Sequence, residues 1–203
     1  MRKLLLILSL LCCMLTSASA QDVRALFMDA PDEVLPLLPR NARADCIDLV
    51  DAGMVYPVSN LLGGKSALVR LTDDYLLLQS TGVSAVEMKM LPYGDSFIIC
   101  VVNSVSAEAK SSRVDFYYHN WKKLDTLSFF TAPSINDFLV GADEKVLDIC
   151  DMYLVSLALA EDENTLVAEY TMPDYMNSGD AEKVRPFLRR IVYRWNGTAF
   201  VIE

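Results

Sequence analysis

Val86-Glu87-Met88-Lys89-Met90-Leu91 and Phe97-Ile98-Ile99-Cys100-Val101-Val102, joined through Pro92-Tyr93-Gly94-Asp95, decide the fold class. In the first run apolar residues alternate with Glu87 and Lys89, the period of a strand with one face in water. The second run is apolar throughout and reads as a central strand. Between them lies turn chemistry: proline presets φ, and glycine accepts backbone angles closed to other residues. Together they make a hairpin in the middle of an antiparallel sheet.

Period two continues on both sides. Ala67–Leu71 and Tyr75–Gln79 flank the short turn Thr72-Asp73-Asp74, and Arg113–His119 and Lys122–Leu127 follow a polar loop. Further strands are predicted at Met152–Ala160, Thr165–Met172, Arg189–Trp195 and Ala199–Glu203. Asn196-Gly197 predicts a two-residue hairpin turn, because both residues tolerate positive φ. Burial of Phe200 and Ile202 is expected on a closing strand paired inside the sheet. Upstream the period changes. Asp29-Ala30-Pro31-Asp32-Glu33 reads as a helix start that Pro36 and Pro39 stop. Asn41 then caps a helix over 42–51 that Gly53 closes. Cys46, Ile47 and Val50 form its apolar stripe, with Arg43, Asp45, Asp48 and Asp51 on the polar side. The predicted class is α+β, mostly antiparallel sheet with short N-terminal helices.

Residues 1–20 read as a secretory signal: Arg2 and Lys3, an apolar stretch from Leu4 to Leu15, then Ala18-Ser19-Ala20. Mature protein is expected to begin at Gln21 and to form a single domain over 21–203, with no transmembrane segment. Leu10-Leu11-Cys12 lacks the small residue expected before an acylated cysteine, which argues against lipidation. The signal holds two cations and no acid, so the rest of the chain has 16 basic and 27 acidic residues, a net charge of −11. That balance argues against nucleic acid as a partner. Cys46, Cys100 and Cys150 remain, an odd number for an oxidising compartment. Their apolar surroundings favour buried thiols over a disulfide or a catalytic cysteine.

Two halves of the chain echo one another. Phe27-Met28-Asp29-Ala30-Pro31 is similar to Phe129-Phe130-Thr131-Ala132-Pro133, Tyr117-Tyr118-His119-Asn120 to Tyr193-Arg194-Trp195-Asn196, and Asp74-Tyr75-Leu76-Leu77 to Met152-Tyr153-Leu154-Val155. A duplicated helix-plus-sheet unit, 25–127 and 128–203, accounts for the echoes. So does chance matching among strand-forming residues.

At Leu37-Leu38-Pro39-Arg40-Asn41-Ala42-Arg43, Ile47-Asp48-Leu49 and Leu71-Thr72-Asp73-Asp74-Tyr75 the chain resembles an uncharacterised family of exported Bacteroidales proteins, classed only as a domain of unknown function. The resemblance implies a Gram-negative cell envelope, periplasm or outer surface, and a single α+β domain. It implies no activity and supplies no catalytic residues.

The chain holds few sequence signals for chemistry. Gly63-Gly64-Lys65-Ser66 ends like a P-loop, but Ser59 stands where its first glycine belongs and a strand follows instead of a helix. Asp45, Asp48 and Asp51 lie on one side of a helix, where they cannot wrap a cation as a loop does. Glu161-Asp162-Glu163-Asn164 lacks the calcium-loop order and reads as a charged hairpin end. His119, the only histidine, would make a nucleophile–base pair with Cys100 or Cys150, yet it sits at a strand end beside a turn. No metal or cofactor is expected. Aromatic residues offer more: Tyr117, Tyr118 and Trp121 on one hairpin, Tyr193 and Trp195 on another. These five are the candidate binding residues, with core packing as the competing explanation. The expected function is a non-enzymatic envelope module that binds a protein, peptide or glycan through an aromatic and acidic surface. The alternative is a hydrolase acting on glycan or cell-wall material through a carboxylate pair.

Overall fold

A computed structural model describes residues 22–203, so the signal reading and the expected start at Gln21 lie outside the described residues. Asp22 opens helix α1 (Val23–Asp29), its carboxylate accepting the Ala25 N–H at 2.8 Å. The stretch at 29–33 therefore ends a helix where the sequence pattern suggested a start. Pro31 suits either role, since proline fits a first helical turn and also the residues just past a C-terminus. Here the Pro31 carbonyl accepts the N–H groups of Val34 and Leu35 and begins a run of turns.

Helix α2 (Arg40–Asp51) starts behind Pro39, so Asn41 lies inside its first turn and does not cap it. Gly53, at φ +71°, turns the chain away at the far end. Cys46 and Ile47 are buried as the periodicity implies. Arg43 departs from it: assigned to the polar side, it is 2 % exposed.

Among the described residues, ten strands form two antiparallel sheets, and sheet predominates over the short helices. The larger is a six-stranded meander in chain order: β1 (Val58–Ser59), β2 (Lys65–Leu71), β3 (Tyr75–Gln79), β4 (Ser84–Tyr93), β5 (Ser96–Ser106) and β6 (Lys110–Tyr118). The smaller has the order β10 (Phe200–Ile202), β9 (Ile191–Trp195), β8 (Thr165–Tyr170), β7 (Val155–Leu159). Side chains that alternate along the large sheet fall into two cores. Leu76, Leu78, Val86, Met88, Ile99 and Val101 pack under α1 and α2. Residues of the other parity, including Tyr75, Leu91, Ile98, Cys100 and Val102, pack against the small sheet. The layers run helices, six strands, four strands. The Phe97–Val102 run of β5 is apolar throughout because both of its faces are covered.

The stacking corrects two expectations. Glu87 and Lys89 do not face water: the small sheet lies over that side of β4, leaving them 6 % and 1 % exposed. Strand β10 does not pair inside a sheet; β9 is its one strand neighbour and it forms an edge, with Phe200 buried and Ile202 60 % exposed. Its turn is also shifted. Phe200 pairs with Trp195, which leaves Gly197-Thr198 as the central pair, and only Gly197 has positive φ, at +96°. Asn196 serves the turn through its side chain, whose oxygen accepts the N–H groups of Thr198 and Ala199 at 2.9 Å.

Smaller departures follow the same logic. The 122–127 run makes a single bridge, Tyr117 to Lys123, and then a 3-10 turn over Thr126–Ser128 held by Asp125. Gly63-Gly64 forms the β1–β2 turn, cradled by Asn60 Oδ1, which accepts from the N–H groups of Leu62 and Gly64. Cys46, Cys100 and Cys150 are unpaired and buried.

Candidate functional site

The side of β4 that the small sheet covers carries two charged side chains into the interior. Lys89 is matched from above and below. Its ammonium donates to the Glu161 carbonyl at 2.6 Å, pairs with Asp74 at 3.0 Å and sits 5.9 Å from the centre of the Tyr75 ring. Lys89 therefore acts as a clamp between the turn before β3 and the turn after β7.

Glu87 lies next to Leu77 in the β3–β4 register. One carboxylate oxygen, Oε2, accepts both the Leu159 N–H at 2.9 Å and the Tyr75 hydroxyl at 3.2 Å. Glu87 also lines a cavity of about 500 Å³. Its floor is β3, β4 and β5, and edge strand β7 supplies a wall through Ala158 and Leu159. Gln79, Ser84, Ser104, Ser106 and Lys110 place further polar groups around it. The pocket exists because four strands cannot cover six, so the larger sheet extends past the edge at β7 as a shelf.

Burial raises the pKa of Glu87, and the Leu159 N–H, Lys110 and the Tyr75 hydroxyl pull it partly back. Burial, reinforced by the Glu87 charge, also pushes the Tyr75 phenol well above its ordinary range and keeps it protonated. A raised carboxyl pKa means that the folded chain holds the Glu87 proton more tightly than the unfolded chain does. The resulting stability is present below the ordinary glutamate value of about 4.3 and is lost as pH rises through the folded value. Glu87→Gln is therefore expected to melt above the wild type at about pH 8 and level with it below about pH 4. Thermal denaturation across that range checks this; parallel profiles would show that the carboxylate is not held in the interior.

The five aromatic candidates divide between layers and form no common surface. Tyr117 and Trp121 lie 5.4 Å apart between centroids with their rings tilted by 59°, at the margin of the helix-side core, while Tyr118 is 39 % exposed. Trp121 holds φ at +64°, which turns its ring back over Tyr117. Tyr193 and Trp195 lie in the core between the sheets, with their polar ends satisfied internally. Tyr193 donates to the Thr131 carbonyl at 3.2 Å and Trp195 to the Pro92 carbonyl at 2.7 Å. Their burial accords with core packing, the competing explanation: the strand alternation that brings Phe200 inward on β10 brings them inward on β9.

The other candidates have structural employment. Both oxygens of Asp51 accept from Arg24 at 2.8 Å, Glu161 pairs with Arg70, and Glu163 pairs with Arg194. Among the described residues no three His, Cys, Asp or Glu side chains cluster as metal ligands would. His119 is exposed at the end of β6 against Phe97, whereas Cys100 is wholly buried, its thiol pKa raised well above normal by burial. That removes the nucleophile–base pair with Cys100. Cys150 is buried too, and its thiol donates to the Val146 carbonyl at 3.4 Å.

Residues 15–200 match the family described as "Protein of unknown function (DUF3256)". The chain belongs to this family. A solved structure, of a domain of an uncharacterized protein from Porphyromonas gingivalis W83, superposes with a TM-score of 0.79. It is 27% identical, and the match covers 91% of this chain and 100% of that one. Comparison with curated proteins finds no match. Among the described residues of this DUF3256 chain, no helix is long and apolar enough to cross a membrane.

Proposed function

We propose that this chain is a non-enzymatic binding module of the bacterial cell envelope, and that the cavity at Glu87 takes a small hydroxyl-rich ligand such as a glycan fragment. The buried Glu87 carboxyl carries the reading. Its Oε2 is tied to the fold and the residue lines the cavity, where a ligand hydroxyl can donate to the carboxylate. A volume of about 500 Å³ falls within the range of small-molecule sites, and its serines, glutamine and lysine suit vicinal hydroxyls.

Binding fits this cavity better than hydrolysis. Hydrolysis of a glycosidic bond by the usual route uses two carboxyl groups about 5–9.5 Å apart. Glu87 is the only carboxylate among the described residues lining the cavity. Ser104 and Ser112 share a hydrogen bond at 2.7 Å, so the partner of that cavity serine is another hydroxyl and not a base. Export to the envelope rests on the signal-like residues 1–20 and on kinship with the resembled family.

Calorimetric titration with a panel of soluble peptidoglycan and oligosaccharide fragments tests the proposal. At least one is expected to bind intact, with affinity falling about tenfold in Glu87→Gln or Ser104→Val, the loss of one good hydrogen bond. Release of cleaved sugar, or binding unchanged in both variants, would overturn it.

A further inference from the structure

A second cavity, of about 150 Å³, lies on the helix side of the large sheet, across β4 and β5 from the Glu87 cavity. Cross-strand register builds its floor in two rows. Leu78, Val86 and Asn103 stand side by side in the first. Ser80, Ser84 and Val105 follow two residues further along their strands, with Ser66 beside Ser80. The wall is the run of turns from Val34 to Leu38.

That wall is held from outside the segment. The Leu61 N–H donates to the Leu37 carbonyl at 3.0 Å, and Arg43 Nε donates to the Leu38 carbonyl at 2.7 Å. The pocket is therefore formed in advance, which spares a ligand the cost of ordering it.

Its polar groups are few and unequal. None of the described residues that line it is charged. Ser66 donates to the Ser80 carbonyl at 2.7 Å, and Ser84 Oγ lies 2.7 Å from Thr81 Oγ1, so both hydroxyls are engaged. Asn103 is half-buried and shares the face of Val86, and its side-chain amide meets no hydrogen-bond partner among the described residues. A side-chain amide presents an acceptor and a donor next to each other, whichever way it is turned.

We propose that this pocket binds a small neutral molecule, a ring-sized apolar body carrying one carboxamide that Asn103 recognises. Apolar cavities of about 150 Å³ admit one benzene-sized group. Leu78, Val86 and the 34–38 wall take the ring, and the donor and acceptor of Asn103 meet the matching pair on the carboxamide. A charged ligand would lose its water here and find no counter-ion. The site faces away from the Glu87 cavity and does not depend on it.

Benzamide titrated into the full folded protein, followed by proton–nitrogen correlation spectra, tests this, with toluene and benzoate alongside. Benzamide is expected to bind and to shift the amide signals of Leu38, Ser80 and Asn103, with toluene about tenfold weaker. Asn103→Leu keeps the volume and removes the donor–acceptor pair. It should weaken benzamide about tenfold and leave toluene unchanged, a split that a general loss of structure does not give. Val105→Trp, at a rim position 54 % exposed, should close the mouth and abolish binding of both, whereas Glu87→Gln should change neither. No binding of benzamide, benzoate binding as tightly, or an equal effect of Asn103→Leu on benzamide and toluene would each overturn the proposal.

Discussion

Arg43→Leu is expected to lower the melting temperature by about 6–12 °C, the equivalent of about 3 kcal/mol in a domain of this size. Arg43 is buried within the turns that join α1 to α2. Its Nε donates to the Leu38 carbonyl at 2.7 Å, and Nη1 reaches the Ala30 carbonyl, with the carbonyls of Phe27 and Met28 at 3.4 Å. Asp32 stands 3.4 Å from Nη2, but its carboxylate is 93% exposed and screens itself with water. The guanidinium works mainly as a clip on four backbone carbonyls, two in the last turn of α1 and two in the irregular turns that follow it. Each buried carbonyl left unpaired costs about 1–3 kcal/mol, and partial hydration of the gap limits the total to the figure above. Lysine should restore less than half, because one ammonium cannot spread its donors as a planar fork does. Arg40→Ala is the control: Arg40 pairs with Asp29 in the open and should shift stability by less than about 1 kcal/mol. Equal melting temperatures for Arg43→Leu and Arg40→Ala would show that the interior clip contributes nothing.

Phe200→Ala should be comparably damaging, at about 3–5 kcal/mol, while Ile202→Ala on the same strand should cost less than about 0.5 kcal/mol. Phe200 closes the inter-sheet core with ring centroids 5.3 Å from Trp195 and 6.3 Å from Phe116, and its N–H bonds to the Phe129 carbonyl at 2.8 Å. Truncating it opens a cavity between aromatic rings that the backbone of β10 cannot collapse to fill. Ile202 faces water on an edge strand and has no core to lose. Denaturant unfolding of the two variants reads the contrast directly. A similar loss in both would mean that β10 contributes through its backbone pairing and not through Phe200.

Local pattern was enough for most strands. Turn residues and period two located nine of the ten, since a strand's alternation and its punctuation are written in neighbouring residues. The two-residue β1 was too short to show a period. Helix α1 was missed because Pro31, which follows its end, was read as part of a helix start. The candidate site was missed for a different reason. Glu87 and Lys89 looked solvated because their strand alternates, yet the neighbouring run Phe97–Val102 is apolar on both faces. That run was the signal: if both sides of β5 are covered, the polar side of β4 beside it is covered too.

The sequence by itself determined that the chain is rich in antiparallel sheet, that helices precede the sheet, and where most turns fall. Each depends on residues a few positions apart. Only the tertiary structure decided which face of each strand meets what. Two sheets of unequal width bury Glu87 and leave a shelf beside it, and they bury Tyr193 and Trp195. The same packing places Arg43 of a helix within reach of carbonyls 5 to 16 residues away. Whether a charged side chain is solvated or buried depends on the layer stacked above it, and that layer is built from residues about seventy positions further along: Glu87 meets Leu159 across 72 residues.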